Sequence, residues 1–85
     1  VLRMVVFVNG LKIKKERIRQ GCSQEFLSEK AGITSSQLQR IEQGITKVPK
    51  FSTLYGIAKA LKLEMEELVI TRKDETVNEP NGKNK

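Results

Sequence analysis

Histidine is absent from this 85-residue sequence, and Cys22 is its only cysteine. The sequence therefore lacks both the usual acid–base side chain and the ligands of a Cys/His zinc site. A single cysteine cannot close an internal disulfide, which makes the reducing cytoplasm the expected location. Cys22 itself is expected to be a small apolar filler in a turn, and a reactive thiol is the alternative.

Long apolar runs and glycine-rich phosphate loops are missing as well. No stretch approaches the roughly 20 apolar residues that span a membrane, and the apolar start, residues 1–8, is too short for a signal peptide. A chain of 85 residues has room for one small domain, which buries too little surface for a deep catalytic cleft. These absences predict a protein that is not an enzyme, stays off the membrane and uses no metal or cofactor.

Positive charge is concentrated in the first part of the chain. Residues 1–62 contain 12 Lys and Arg against 4 Asp and Glu, a net charge of +8, and residues 63–85 contain 4 against 6, a net charge of −2, which together give +6. A basic folded part favours a polyanionic partner such as nucleic acid. A basic surface that only keeps the protein soluble would give the same count.

The spacing of apolar residues predicts five helices between an apolar arm and a polar tail. The arm, residues 1–8, is expected to be a strand or an extended segment, and the tail, residues 71–85, is expected to be disordered. The domain between them, residues 9–70, should hold helices at 11–20, 24–31, 35–43, 51–61 and 65–70. Ile13 and Ile18 are expected to face inward from the first helix, and Phe51 from the fourth.

Residues 23–44 are predicted to form two short helices joined by a tight turn. Ser23 is a good N-cap for the second helix and Gly32 ends it, while Thr34 and Gln37 have capping-box spacing at the start of the third helix. If Leu38 and Ile41 of the third helix face the core, its outer side carries no carboxylate. The outer side chains are then Ser35, Ser36, Gln39, Arg40 and Gln43, a polar set that can approach DNA without repulsion.

Five ordered segments of the sequence follow a recognisable pattern. They are Arg17-Ile18-Arg19-Gln20-Gly21-Cys22-Ser23-Gln24-Glu25-Phe26-Leu27-Ser28, Ile33-Thr34-Ser35-Ser36-Gln37-Leu38, Ile41-Glu42-Gln43-Gly44, Pro49-Lys50-Phe51 and Ile57-Ala58-Lys59-Ala60-Leu61. In order and spacing they resemble the Cro/repressor-type helix-turn-helix family, also called the XRE family. The resemblance covers about residues 11–70. It implies an all-α fold, a five-helix lambda-repressor-like DNA-binding domain.

The resemblance also implies DNA-contacting roles for individual positions. Gln24 and Gln37 match positions that contact backbone phosphate, and Gln43 lies on the same outer side of the third helix. Base edges are expected to be read from the matching positions Ser35, Ser36 and Arg40, with Gln39 as a weaker candidate. The basic residues Lys47 and Lys50 match loop positions near the sugar-phosphate backbone.

Two further positions match an internal ion pair between the first and third helices, and three depart from the family pattern. The pair is Arg17 with Glu42. Ser28 replaces the usual alanine, Phe26 stands where an exposed polar residue is common, and Lys50 stands where a capping Ser or Thr is common, so the fourth helix should start less firmly.

These positions imply a bacterial or phage transcription regulator that binds double-stranded operator DNA as a homodimer, with residues 35–43 in the major groove. The alternative is an antitoxin or another protein-interaction module that uses the same fold to hold a partner protein. The apolar arm is expected either to fold back near Phe26 or to pair with the arm of a second chain. If the arm does not form the dimer, the surface near Leu63, Met65 and Leu68 is expected to do so.

Overall fold

The computed structural model describes residues 4–73, which form four α-helices, one 3₁₀ helix and a two-stranded sheet. In chain order the elements are β1 (Met4–Val8), α1 (Gly10–Arg19), α2 (Gln24–Ala31), α3 (Ser35–Glu42), α4 (Phe51–Leu61), the 3₁₀ helix (Met65–Leu68) and β2 (Val69–Lys73). The predicted all-α class is confirmed, with four α-helices instead of five. No helix in this part of the chain is both long and apolar enough to cross a membrane.

The helix boundaries around the central turn follow from local capping. Ser23 Oγ accepts a hydrogen bond from the Phe26 amide at 3.0 Å at the start of α2. Thr34 and Gln37 form the predicted capping box, in which each side chain accepts from the other residue's amide, at 3.0 and 2.9 Å. Gly32 ends α2 with φ of +77°, a conformation that glycine adopts without steric cost.

Nine apolar side chains from all four helices and the 3₁₀ helix form one core. They are Ile13, Leu27, Leu38, Ile41, Leu54, Ile57, Ala58, Leu61 and Leu68. Two inward predictions are wrong, because Ile18 is 58% exposed and Phe51 is 72% exposed. Ile18 follows the buried Arg17 by one residue, or about 100° around the helix, so it faces solvent. Phe51 begins α4 beyond the edge of the core and stacks on Tyr55.

The predicted fifth helix is a single 3₁₀ turn followed by a strand. It stops at Leu68, and Val69 begins β2, which pairs antiparallel with β1 from Val8↔Val69 to Met4↔Lys73. Val69, Ile70 and Thr71 are β-branched and suit a strand once a partner strand is available. β2 therefore overlaps the start of the tail predicted from residue 71. The rest of that tail, residues 74–85, lies outside the described residues.

Residues 4–8, the described part of the N-terminal arm, pair with β2 of their own chain and are not folded back near Phe26. The last residues of the arm join the domain through two backbone bonds, from the Val8 amide to the Lys47 carbonyl at 2.8 Å and from the Asn9 amide to the Leu68 carbonyl at 2.7 Å. Phe26 is 50% exposed. The Nζ atom of Lys30, one turn away on α2, lies 5.5 Å from the centroid of its ring.

A buried ion pair joins α1 to α3. Arg17 Nε donates to Glu42 Oε2 at 2.8 Å and Arg17 Nη2 donates to Glu42 Oε1 at 3.1 Å, while Nη1 donates to the Cys22 carbonyl at 2.9 Å. The two side chains are only 11% and 2% exposed. The hydrogen bonds to Glu42 raise the pKa of Arg17, so the guanidinium remains charged. The structure thus brings together the two residues that the family resemblance pairs.

Replacing one partner of this pair should destabilise the fold strongly. Glu42→Ala leaves Arg17 charged and buried, and we expect the free energy of unfolding to fall by about 3–5 kcal/mol. The double variant Arg17→Met/Glu42→Ala should lose much less than the sum of the losses of Arg17→Met and Glu42→Ala, because neither side chain then carries a charge. Denaturant melts of the four proteins measure this coupling, and strictly additive losses would contradict the pair. The exposed Glu16–Arg19 pair on α1 provides a control, since Glu16→Gln should have a far smaller effect.

Gly56 is expected to be required where α4 packs on the end of α2. A Cβ atom at this position would overlap the backbone carbonyl of Ala31. Alanine is favoured over glycine inside a helix by about 1 kcal/mol, so Gly56→Ala would stabilise an isolated helix. In the protein we expect a net loss of about 1–3 kcal/mol from overpacking, measured by urea denaturation. Lys59→Ala, at an exposed position of α4, is the control, and a raised midpoint for Gly56→Ala would argue against this close approach.

Candidate nucleic-acid interface

The packing of α2 against α3 decides which side of α3 faces outward. Leu27 of α2 and Leu38 and Ile41 of α3 are buried in the core. Ser28 is 4% exposed where the helices meet. Its hydroxyl donates to the Glu25 carbonyl at 2.9 Å, so this small polar side chain is hydrogen-bonded within its own helix. With its apolar stripe covered, α3 presents only its polar side to solvent.

The outward side of α3 is polar along its whole length. Ser35 is half-exposed, and the remaining predicted positions on this helix and at its C-cap are exposed, namely Ser36, Gln37, Gln39, Arg40 and Gln43. Glu42, the only carboxylate of α3, is turned inward and is 8% exposed. Arg40 forms no ion pair among the described residues, so its guanidinium remains available for an external partner. The predicted acid-free face is therefore present.

A groove between α3 and the start of α4 brings three predicted contact residues together. Gln37, Arg40 and Lys50 line this open groove of about 570 Å³, together with Thr46 and both hydroxyl residues of the first turn of α4. Gln37 uses its side-chain carbonyl in the capping box, so its side-chain NH₂ group remains available to donate. The groove consequently combines hydrogen-bond donors and two cationic side chains with apolar residues such as Ile33, Val48 and Pro49.

Two groove residues, Ser52 and Thr53, were not identified by the sequence analysis. They lie in the first turn of α4, whose N-cap Lys50 makes no side-chain capping bond. The amides of this turn have no partner within the helix, and a helix N-terminus favours anions. The sequence signal that could have found them is the departure at Lys50, where the usual capping side chain is missing.

Lys47 lies outside the groove, on the side of the loop that faces β1. Its side chain is exposed, and its Nζ atom donates to the Gly44 carbonyl at 3.1 Å, which leaves two further protons for another acceptor. The preceding loop residues are fixed to the end of α3, because the Ile45 and Thr46 amides both donate to the Arg40 carbonyl, at 2.9 and 3.1 Å. The loop therefore has a defined conformation at Lys47.

Gln24 lies at the start of α2, and its side chain is attached to the ion pair. Its Nε2 donates to Glu42 Oε1 at 3.0 Å, so Glu42 accepts from both Arg17 and Gln24. The Gln24 side chain is half-buried and retains one N–H and its carbonyl for an external contact. The sequence analysis assigned Gln24 to a phosphate and did not anticipate this second bond, which depends on the distance between two helices.

The described residues also include carboxylates and one cysteine. They contain no cluster of three or more His, Cys, Asp or Glu that could hold a metal ion. Cys22 is a free, half-buried cysteine in the turn between α1 and α2. What this surface offers is hydrogen-bond donors and positive charge.

Comparisons with known proteins point to one family. A family model described as helix-turn-helix matches residues 13–68. The DNA complex of SinR, a master regulator for biofilm formation, matches with a TM-score of 0.64 and 32% identity, covering 67% of this chain and 90% of that chain. The restriction-modification controller protein C.AhdI from Aeromonas hydrophila matches with a TM-score of 0.64 and 29% identity, covering 68% of this chain and 86% of that chain.

SinR, a protein of Bacillus subtilis, is also matched in its complex with SinI. That match has a TM-score of 0.65 and 31% identity, and it covers 68% of this chain and 56% of that chain. The family model spans more than half of the sequence, from the middle of α1 to the end of the 3₁₀ helix. The protein therefore belongs to the helix-turn-helix family of the Cro/repressor (XRE) type.

Proposed function

We propose that the protein is a transcriptional regulator that binds double-stranded DNA with α3 in the major groove. The observation that carries this proposal is the acid-free outer face of α3, with Arg40 unpaired among the described residues and Lys47 and Lys50 on the loop beside it. A helix of this size fits the major groove, and the cationic side chains of the loop beside it would meet phosphates. The similarity to SinR in its DNA complex supports the same reading.

The N-terminal turn of α3 and Arg40 have different parts in the proposed contact. Ser35 and Ser36 begin the helix directly after the Thr34 cap, so they would meet base edges first. Serine can donate or accept and therefore discriminates weakly between bases. Arg40 lies one turn further on and can bind a guanine with two parallel hydrogen bonds. We therefore assign most of the base preference to Arg40, with Gln39 and Gln43 as supporting contacts.

The phosphate contacts are proposed at three places, one in the groove between α3 and α4 and two outside it. Lys50 and the free amides of the first turn of α4 form a site for one phosphate, with the NH₂ group of Gln37 on the opposite wall. Lys47 supplies a second cationic contact. The remaining N–H of Gln24 supplies a third contact that carries no charge.

A homodimer on a two-fold symmetric operator is proposed because one α3 reads too few bases for useful specificity. Leu68 is excluded from the dimer surface, since it is fully buried in the core. Leu63 and Met65 are half-buried and remain candidates. Selection of bound sites from random duplex DNA tests both the operator binding and the homodimer, because a two-fold symmetric protein should enrich palindromic sites. Recovery of no preferred sequence would contradict operator binding.

Binding of a partner protein is a second candidate function. Phe51 and Tyr55 stack on the outer side of α4 with ring centroids 6.2 Å apart, and they are 72% and 50% exposed. Exposed aromatic side chains are common where proteins meet. The match to SinR in complex with SinI provides an example of a similar domain in a protein complex. An antitoxin with this fold could bind both DNA and its partner.

Removing Arg40 should weaken operator binding and relax the preference at one base pair of each half-site. We expect Arg40→Ala to cost about 1–3 kcal/mol in binding free energy, the range for a good base contact. Arg40→Lys is the matched variant, since it retains the positive charge but cannot form the bidentate hydrogen bonds of a guanidinium group. It should lose base preference and keep the parent's salt dependence. Parent-like binding of both operator and random DNA by Arg40→Ala would show that α3 is not the recognition helix.

The proposed phosphate contacts can be separated by their dependence on salt. Lys50→Ala should flatten the slope of log affinity against log salt concentration by about one, because one fewer counterion is released. Gln24→Ala should weaken binding and leave the slope nearly unchanged. Lys59→Ala, near the far end of α4, is the control and should change neither. Equal slope changes for the Lys50 and Gln24 variants would contradict these roles.

A further inference from the structure

The β1–β2 ribbon is the part of the fold that the proposed function has not used. Both strands lie outside residues 13–68, the stretch that matches the family model. A two-stranded ribbon is marginal alone in water, so its contacts with the rest of the domain decide what it does. Val8 and Val69 pack against the hydrophobic core, and further contacts of the ribbon lie at the loop between α3 and α4.

The backbone of the ribbon reaches this loop through one specific hydrogen bond, from the Val8 amide to the Lys47 carbonyl, and the pairing of the strands explains why this amide is free to make it. The Asn9 amide donates to the Leu68 carbonyl at 2.7 Å, which continues the ladder between the strands. In an antiparallel pair, successive amides of a strand point alternately toward the partner strand and away from it. Because the Asn9 amide points toward the partner strand, the amides of Val8 and Val6 point to the other edge of β1. At that edge the Val8 amide donates to the Lys47 carbonyl at 2.8 Å. The Val6 amide has no backbone partner among the described residues.

Side chains cover the same junction. Phe7, Val8 and Ile70 line a mainly apolar groove together with Gly44, Thr46 and Lys47. On its other side, the loop is bonded to α3 through the Ile45 and Thr46 amides, which donate to the Arg40 carbonyl, and the Lys47 side chain donates to Gly44 within the loop. The backbone around Lys47 is therefore held from two directions, by the end of α3 and by β1.

We propose that the β1–β2 ribbon is a positioning element for DNA binding, which holds the α3–α4 loop through the bond from Val8 to Lys47. This inference rests on the proposed function, because the loop carries Lys47 and leads to Lys50. The bond to Val8 holds the Lys47 backbone in one position, and a loop freed from it would no longer keep the Lys47 ammonium on a phosphate, so that the contact and its counterion release would be lost. Without the ribbon, the loop would be held only by the bonds of the Ile45 and Thr46 amides to the Arg40 carbonyl, and these bonds should then open more often.

Val8→Pro tests the proposal because proline removes the one amide hydrogen that reaches Lys47. Proline is tolerated at the free edge of a strand, and the ladder to β2 uses the other residues of β1. Val6→Pro is the matched control, since it removes an amide at the same edge that has no described backbone partner. Val8→Ala is the second control, because it trims the packed side chain and keeps the amide.

The main measurement is affinity for a short mixed-sequence duplex over a range of salt concentrations, with folding checked by circular dichroism. Val8→Pro should bind about tenfold more weakly at low salt, with a slope shallower by about one, as for one lost phosphate contact. Both controls should keep the parent's slope. A variant that only destabilises the fold reduces the active fraction and leaves the slope unchanged. A parent-like slope for folded Val8→Pro, whatever its affinity, would overturn the proposal.

Amide hydrogen exchange without DNA separates this inference from the proposed function. Val8→Pro should speed exchange of the Ile45 and Thr46 amides at least tenfold, whereas Val6→Pro should not. If the parent fails to bind duplex DNA, the proposed function fails, and the exchange data still decide whether the ribbon holds the loop. If Val8→Pro does not fold, amide hydrogen exchange in the parent protein decides whether the ribbon holds the loop. Val8, Ile45 and Thr46 should then open together, and a loop that opens while Val8 remains protected would refute the tether.

Discussion

The carboxylate of Glu42 is kept off the solvent-exposed side of α3 by a buried network, and the arrangement of the helices depends on it. Glu42 accepts two hydrogen bonds from Arg17 of α1 and one from Gln24 of α2. A charge buried at 8% exposure without such partners would be too costly to keep in the fold. The network therefore connects three helices at one point and leaves the outer face of α3 without an acidic group.

The short helices of this domain would be marginal on their own, and packing stabilises them. α2 and α3 have eight residues each, well below the length at which isolated helices are stable in water. Capping by Ser23 and Thr34 sets where they begin, and burial of Leu27, Leu38 and Ile41 sets which side faces inward. The polar side of α3 is consequently rigid, and a rigid set of donors loses little freedom on binding.

The two ends of the described chain meet in the ribbon, which gives the domain a feature outside the family match. β1 is uncharged and apolar, and such a strand would be exposed as a bare edge without a partner. Pairing with β2 covers one edge, and the Lys47 carbonyl accepts from the other at Val8. The ribbon thus contacts the backbone of the loop between α3 and α4, and the Lys47 side chain of this loop is exposed at the proposed DNA-binding surface.

Local patterns in the sequence were enough to predict most of the helical domain. The bounds of α2 and α4, the capping box at Thr34 and Gln37 and the outward face of α3 all follow from neighbouring residues, because helix periodicity and caps are short-range. The pairing of Arg17 with Glu42 came from the family resemblance, and the structure supplies its geometry. The roles of the outward residues on DNA remain predictions.

Tertiary structure decided the features that depend on distant partners. β2 was predicted as the end of a helix and the start of a tail, because nothing near Val69 indicates that β1, some sixty residues earlier, supplies its ladder. The bond from Gln24 to Glu42 and the groove containing Ser52 and Thr53 depend on how helices approach one another. The sequence by itself determined the helices and their polar faces through local spacing, whereas only the folded chain could bring together segments that are far apart along it.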